Sequence, residues 1–191
     1  MQRDTKAEIH QAALELFSTH GYEKTSLREI AEQVGITKAS LYYHYSSKQD
    51  LLKAIIGTFF DDLQRVLQLV DVVEWSPESE RELLAAYLDV VILHRSTGPS
   101  LLRDFTAVLA AFEESLDELI AQSRRFQVWL AGPDPTTADL ILASAAVEVV
   151  GAVISSALAT PEATDEELRR VVLGAATAVL ALRSKSVQVP S

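Results

Sequence analysis

Between Gly35 and Leu52 the chain reads GITKASLYYHYSSKQDLL. Tyr42, Tyr43, His44 and Tyr45 are consecutive, and consecutive positions on a helix point about 100° apart. One core cannot take all four rings. Leu41 and Tyr45, four apart, can share a buried face with Ile36, which leaves Tyr42, Tyr43 and His44 facing outward. A tyrosine hydroxyl can hydrogen-bond a phosphate oxygen, and its ring can pack on a sugar or a thymine methyl. Thr37, Lys38 and Ser40 add donors at the start of the same segment, where free amides favour anions. Ala39 has no bulk to keep the helix out of a groove. Lys48 stands in the first turn of the next helix, where a cation opposes the macrodipole at a cost of about 0.3–1 kcal/mol. A bridging phosphate would reverse that sign. The types and spacing fit a surface that meets the backbone and base edges of a nucleic acid. In the competing reading, Tyr42 and Tyr43 simply cover the following helix.

The elements needed to hold such a surface can be read on either side of it. Thr5 to Thr19 carries Ile9, Ala12, Ala13, Leu16 and Phe17 at helical spacing and is closed by His20-Gly21. Ser26-Leu27-Arg28-Glu29 reads as a capping box opening a short helix whose apolar face is Leu27, Ile30, Ala31 and Val34. Gly35 ends it, Thr37 caps a third helix, and Ser47 caps a fourth with Asp50 in its first turn. Two short helices joined at Gly35-Ile36, with a third packed before them, make a helix-turn-helix. The long apolar pattern from Leu51 runs to about Asp71. Further helices are expected over about Pro77–His94, Ser100–Leu109, Phe112–Leu130, Thr136–Ala159 and Asp165–Arg183, with a weak break near Ala110 and strong punctuation at GPDP, residues 132–135. No alternating strand pattern stands out. The expected fold is all-α with about nine helices.

The 191 residues are 48% hydrophobic, enough for a packed core. The absence of cysteine removes disulfides, thiolate zinc sites and cysteine nucleophiles. The net charge of −10 looks unsuited to a nucleic-acid partner, but it is unevenly spread. Up to Asp50 there are six Lys/Arg against seven Asp/Glu, while the remainder has eleven against twenty. The start, MQRDTKAEIH, shows no apolar signal region, so a cytoplasmic location is expected. The four histidines (His10, His20, His44, His94) show no metal-ligand spacing, and no phosphate-loop, dinucleotide or nucleophile-elbow motif is found. Neither an enzyme nor a cofactor is expected.

The stretch FSTHGYEKTSLREIAEQVGITKASLYYHYSSKQDLL, Phe17 to Leu52, closely resembles the DNA-binding domain of TetR-family transcriptional regulators. The resemblance is carried by Phe17, Gly21-Tyr22, Thr25, Ile30-Ala31, Val34, Leu41-Tyr42, Tyr45, Ser47-Lys48 and Leu51. It implies that Thr37 to His44 is the recognition helix, and that residues 1–48 form the DNA-binding domain. Tyr45 departs from the phenylalanine common there, and its hydroxyl requires a partner. The candidate DNA-facing residues are Thr25, Ser26, Thr37, Lys38, Ala39, Ser40, Tyr42, Tyr43, His44 and Lys48.

For residues 49–191 the resemblance implies a helical ligand-binding and dimerisation domain, with a dimer made by the last two helices. LILASAAVEVVGAVISSALA, Leu140 to Ala159, is apolar on every side and is expected to be covered on every side. A membrane span is disfavoured by Glu148, at a cost of about 2.5–3.5 kcal/mol on insertion scales, and by missing interfacial anchors. Small residues in both final helices permit close approach in a symmetric four-helix interface. The candidates for lining a cavity are Phe59, Phe60, Tyr87, His94, Arg103, Phe105, Phe112, Phe126, Trp129 and Glu148, the last as a carboxylate that meets a partner or ligand or is reached by water. His94-Arg95 and Arg124-Arg125 read as solvated helix ends and faces. The expectation is a homodimeric, ligand-responsive repressor on double-stranded operator DNA, with a small, largely apolar effector and no membrane. The alternatives are a regulator controlled by a protein partner or constitutively, or an activator.

Overall fold

The computed structural model describes residues 4–98 and 104–183. They are helical, with no strand among the described residues. The elements are α1 (Thr5–His20), α2 (Leu27–Val34), α3 (Lys38–His44), α4 (Lys48–Leu67), α5 (Pro77–Leu93), α6 (Phe105–Leu130), α7 (Thr137–Ala159) and α8 (Asp165–Leu180), with short 3-10 turns at Gln68–Asp71 and Arg95–Thr97.

Local chemistry sets these boundaries. Ser26 accepts from the Glu29 amide at 3.2 Å while the Glu29 carboxylate accepts from the Ser26 amide at 2.7 Å, the reciprocal cap read from the sequence. Thr37 accepts from the Ser40 amide, and Ser47 from the Asp50 amide. Gly35 ends α2 at φ +74°, a left-handed conformation that lets the chain turn into α3 within three residues. Thr136 with Asp139 and Thr164 with Glu167 repeat the capping box at the starts of α7 and α8.

The described residues fall into two compact units, the first drawn from Met1–Phe60 and Ser96–Leu116, the second from Asp61–Arg95 and Asp117–Ser191. In the first, Ile9, Ala13, Phe17, Ile30, Leu41, Leu51 and Ile56 form a buried cluster that Val108 and Ala111 of α6 complete. The sequence placed a helix break near Ala110. The chain bends two residues later, at Phe112 (φ −116°, ψ 17°) within α6, where the Phe112 ring packs edge-on against Phe60 at 4.6 Å. In the second unit α5, α7 and α8 pack on one another. Arg183, just past α8, donates to the Glu80 carboxylate and the Leu130 carbonyl, joining the start of α5, the end of α6 and the end of α8.

Within the single chain α7 is only partly covered. Only 22% of its Thr137–Ile154 stretch is buried within the chain, although the segment is long and apolar enough to cross a membrane. Ile141 of α7 and Val171 of α8 are exposed large apolar residues, and Gly174, Ala175 and Ala178 are exposed beside Val171.

Candidate nucleic-acid interface

α3 presents two unlike faces, as its sequence anticipates. Leu41 is fully buried and Tyr45 almost so, while Tyr43 is 88% exposed and Tyr42 45% exposed. Thr37, Lys38, Ala39 and His44 are also exposed, and Ser40 is half-buried. The Lys38 ammonium lies 5.4 Å from the Tyr42 ring centroid, one turn along, so cation and ring form a single patch. Tyr43 meets His44 edge-on at 5.5 Å. None of these outward groups is sealed beneath α4.

The Tyr45 hydroxyl has the partner its burial demands. It shares a 2.5 Å hydrogen bond with His10 Nε2, fastening the C-terminal end of α3 to α1. Burial, and next the Lys6 charge, lower the His10 pKa, with Asp4 opposing. A histidine whose folded pKa is depressed contributes stability above its unfolded pKa, near ~6.5, and that contribution is lost as pH falls through the folded value. The melting temperature should therefore drop on acidification below that range, and His10→Gln should flatten the drop. Parallel melting curves of both proteins across the acid range check this, and equal slopes would contradict it.

Two candidates are placed differently from the sequence reading. Thr25 is buried, and its hydroxyl donates to the Gly21 carbonyl at 2.9 Å; it closes the α1–α2 turn and does not reach the surface. Lys48 is half-buried and donates to the Tyr22 carbonyl at 2.6 Å and the Glu23 carbonyl at 3.3 Å, with the Tyr22 ring centroid 4.2 Å away. Its charge at the start of α4 is satisfied inside the domain, so it latches α4 to the α1–α2 turn. Ser26 is exposed, but its hydroxyl is engaged with Glu29 in the cap. No local sequence signal marks His10 or Asp104 as partners. The latter accepts from the Tyr22 amide at 2.8 Å across 82 positions and ties the α6 side of the first unit to the same turn.

The cavity candidates do not gather into one lining. Phe60 and Phe112 pack with the core of the first unit, and Phe59 is buried beside Phe60. In the second unit the Tyr87 and Phe126 rings lie 5.3 Å apart, and Trp129 donates to the Val73 carbonyl. Burial, with Glu148 adding to it, pushes the Tyr87 hydroxyl up to about 12. Glu148 itself is exposed, because α7 is not enclosed within the chain. His94 bonds Asp62 at 2.6 Å and Arg95 bonds the Ala163 carbonyl, so neither is a solvated helix end. The His94 bond is the main reason the Asp62 carboxyl is held below its usual range. Arg103 lies outside the described residues, as does the Phe105 side chain. A polar residue the sequence reading passed over is Gln122, buried with its side-chain oxygen lacking a donor among the described residues.

Residues 9–55 match the model of the bacterial regulatory proteins, tetR family. The N-terminal domain is of the TetR family. Over 64 residues the chain is 41% identical to the biofilm operon icaADBC HTH-type negative transcriptional regulator IcaR of Staphylococcus aureus, a match covering 34% of each. It is 29% identical over 93 residues to the HTH-type transcriptional regulator TtgR of Pseudomonas putida, covering 47% of this chain and 44% of that protein. The chain thus matches only about a third to under half of the length of these curated relatives. The crystal structure of Mycobacterium smegmatis AmtR superposes with a TM-score of 0.70 at 27% identity, covering 99% of this chain and 96% of that one. The described residues share the all-helical two-domain fold of such TetR-family structures.

Proposed function

We propose that the chain is a homodimeric, ligand-responsive transcriptional repressor that reads a two-fold operator through α3. Residues 1–48 would bind DNA, and residues 49–191 would carry dimerisation and effector binding. The observation that carries this reading is the outward patch of Lys38, Tyr42, Tyr43 and His44 on a helix fixed from behind by buried Leu41 and the Tyr45–His10 bond. A reading helix must be rigid on one side and open on the other, and α3 is both. Thr37, Ala39 and Ser40 complete the leading end of that surface.

Two such helices must stand ~34–36 Å apart to meet successive major grooves. The uncovered apolar and small-residue faces of α7 and α8 support a symmetric partner there, since exposed apolar area of this kind marks an interface. Tyr87 against Phe126, with Gln122 offering an unpaired oxygen, supports a small and largely apolar effector. α6 begins in the unit that holds α3 and continues into the second, and Asp104 joins its start to the α1–α2 turn. An effector can shift repression only by its difference in affinity between the two conformations.

Tyr43→Ala should weaken operator binding by about tenfold, near 1.4 kcal/mol, with helicity unchanged. Lys38→Ala should lower the slope of log affinity against log salt by about 1, as loss of one phosphate contact does. Fluorescence anisotropy on a selected DNA site measures both. Unchanged affinity and slope in both variants would remove α3 from the interface.

A further inference from the structure

The second unit carries a groove of about 610 Å³ between the Val70–Trp75 stretch, the C-terminal half of α6 and the turn at Gly132-Pro133. Its walls are apolar: Val70, Val128, Trp75 and Trp129. Both tryptophans of the chain line it. They are held in place before any ligand arrives. The Trp129 indole N–H donates to the Val73 carbonyl at 3.2 Å, and Trp75 packs so close to Gly132 (φ +89°) that a Cβ there would meet its ring at 3.3 Å. Such fixed aromatic walls need little reordering to receive a flat molecule.

The rim is cationic in a chain of net charge −10. Arg125 pairs with Asp71 at 3.4 Å, which offsets that carboxylate, while Arg124 has no ion pair among the described residues. The Trp75 indole N–H is shielded from solvent and has no acceptor among the described residues. An apolar slot with an uncommitted guanidinium at its edge suits one chemistry, an aromatic body ending in a carboxylate.

We propose that this groove is a binding site for a planar, apolar carboxylate, its rings against Trp75 and Trp129 and its carboxylate on Arg124. None of Tyr87, Phe126 and Gln122 lines it, it shares only Trp129 with the sequence candidates, and it does not depend on DNA binding.

Tryptophan emission reports this groove directly, because no tryptophan lies elsewhere. Titrating the full chain with 4-phenylbenzoate should change that emission saturably. The neutral 4-phenylbenzamide should bind about tenfold more weakly, a difference of one charge-assisted contact. Arg124→Gln should abolish the preference for the acid, and Ala121→Phe, which fills the groove from its α6 wall, should abolish the response to both probes. Arg124 and Ala121 are exposed, and unchanged melting curves would show both variants folded. No saturable change with the acid, equal affinity for acid and amide, or a response that survives Ala121→Phe in the folded variant would each overturn the proposal.

Discussion

Gly174→Glu is expected to leave the protomer folded and to abolish the dimer. A Cβ at Gly174 would meet nothing within 4 Å inside the chain, so the substitution starts into open space on α8. Replacing a mid-helix glycine also raises helix propensity. The same face holds Val171, Ala175 and Ala178, and a carboxylate placed there twice across a two-fold axis would be desolvated opposite its own copy. With the proposed pair of reading helices on one operator, a monomer should lose about 10²–10⁴-fold in operator affinity without any change in α3. Sedimentation equilibrium reads the first effect and DNA titration the second. A variant that remains dimeric would take α8 out of the interface. Gly151→Glu on α7, also facing open space, gives an independent copy of the test.

The second large effect is on stability. Glu80→Ala removes the carboxylate that accepts from Arg183, and both side chains are largely buried, 9% and 16% exposed. Arg183 Nε donates to the Leu180 carbonyl at 3.0 Å, and another of its guanidinium nitrogens to that of Leu130. With Glu80 gone these neutral acceptors remain, but a buried charge has lost its counterion. Breaking such a pair from one side costs about 3–5 kcal/mol, which in a chain of this length lowers the melting temperature by about 6–20 °C. Glu80 also sits in the first turn of α5, so its charge additionally favours the helix start. Thermal unfolding by circular dichroism measures this, and a melting temperature unchanged within about 2 °C would show that Arg183 finds its compensation elsewhere.

Much of the DNA-facing domain is legible in the sequence because it is governed by short-range rules. Ser26, Thr37 and Ser47 announce helix starts through a side chain that can reach an amide three residues on, and each does so. The division of the aromatic run into Leu41 and Tyr45 inward, Tyr42 and Tyr43 outward, follows from helix geometry alone. Long-range partners leave no such mark. Nothing near Tyr45 points to His10 across 35 positions, and nothing near Lys48 shows that the carbonyls of Tyr22 and Glu23 will claim its ammonium. Thr25 matches its family pattern for a structural reason, the closure of the α1–α2 turn, which composition cannot separate from contact with a ligand.

In the second unit the sequence is a poorer guide. Hydrophobic pattern identified α7 as a helix requiring cover, yet periodicity cannot distinguish cover by the same chain from cover by another molecule. Glu148, amid apolar neighbours, could be read as partnered or as reached by water, and it is exposed because that face of α7 is open. Aromatic residues alone could not mark a cavity either. Phe60 and Phe112 serve the core of the first unit, and the Trp75–Trp129 groove depends on the turn geometry at Gly132.

In the proposed function α3 reads DNA through the rings and cation that it turns away from its own core. Selection of bound fragments from a random duplex pool by the purified chain tests this most directly. The expected result is enrichment of one short, two-fold symmetric site, bound less tightly as salt rises, with affinity reduced for Tyr43→Ala. Failure to enrich any sequence, or enrichment of the same site at equal affinity by the Tyr43→Ala protein, would contradict it.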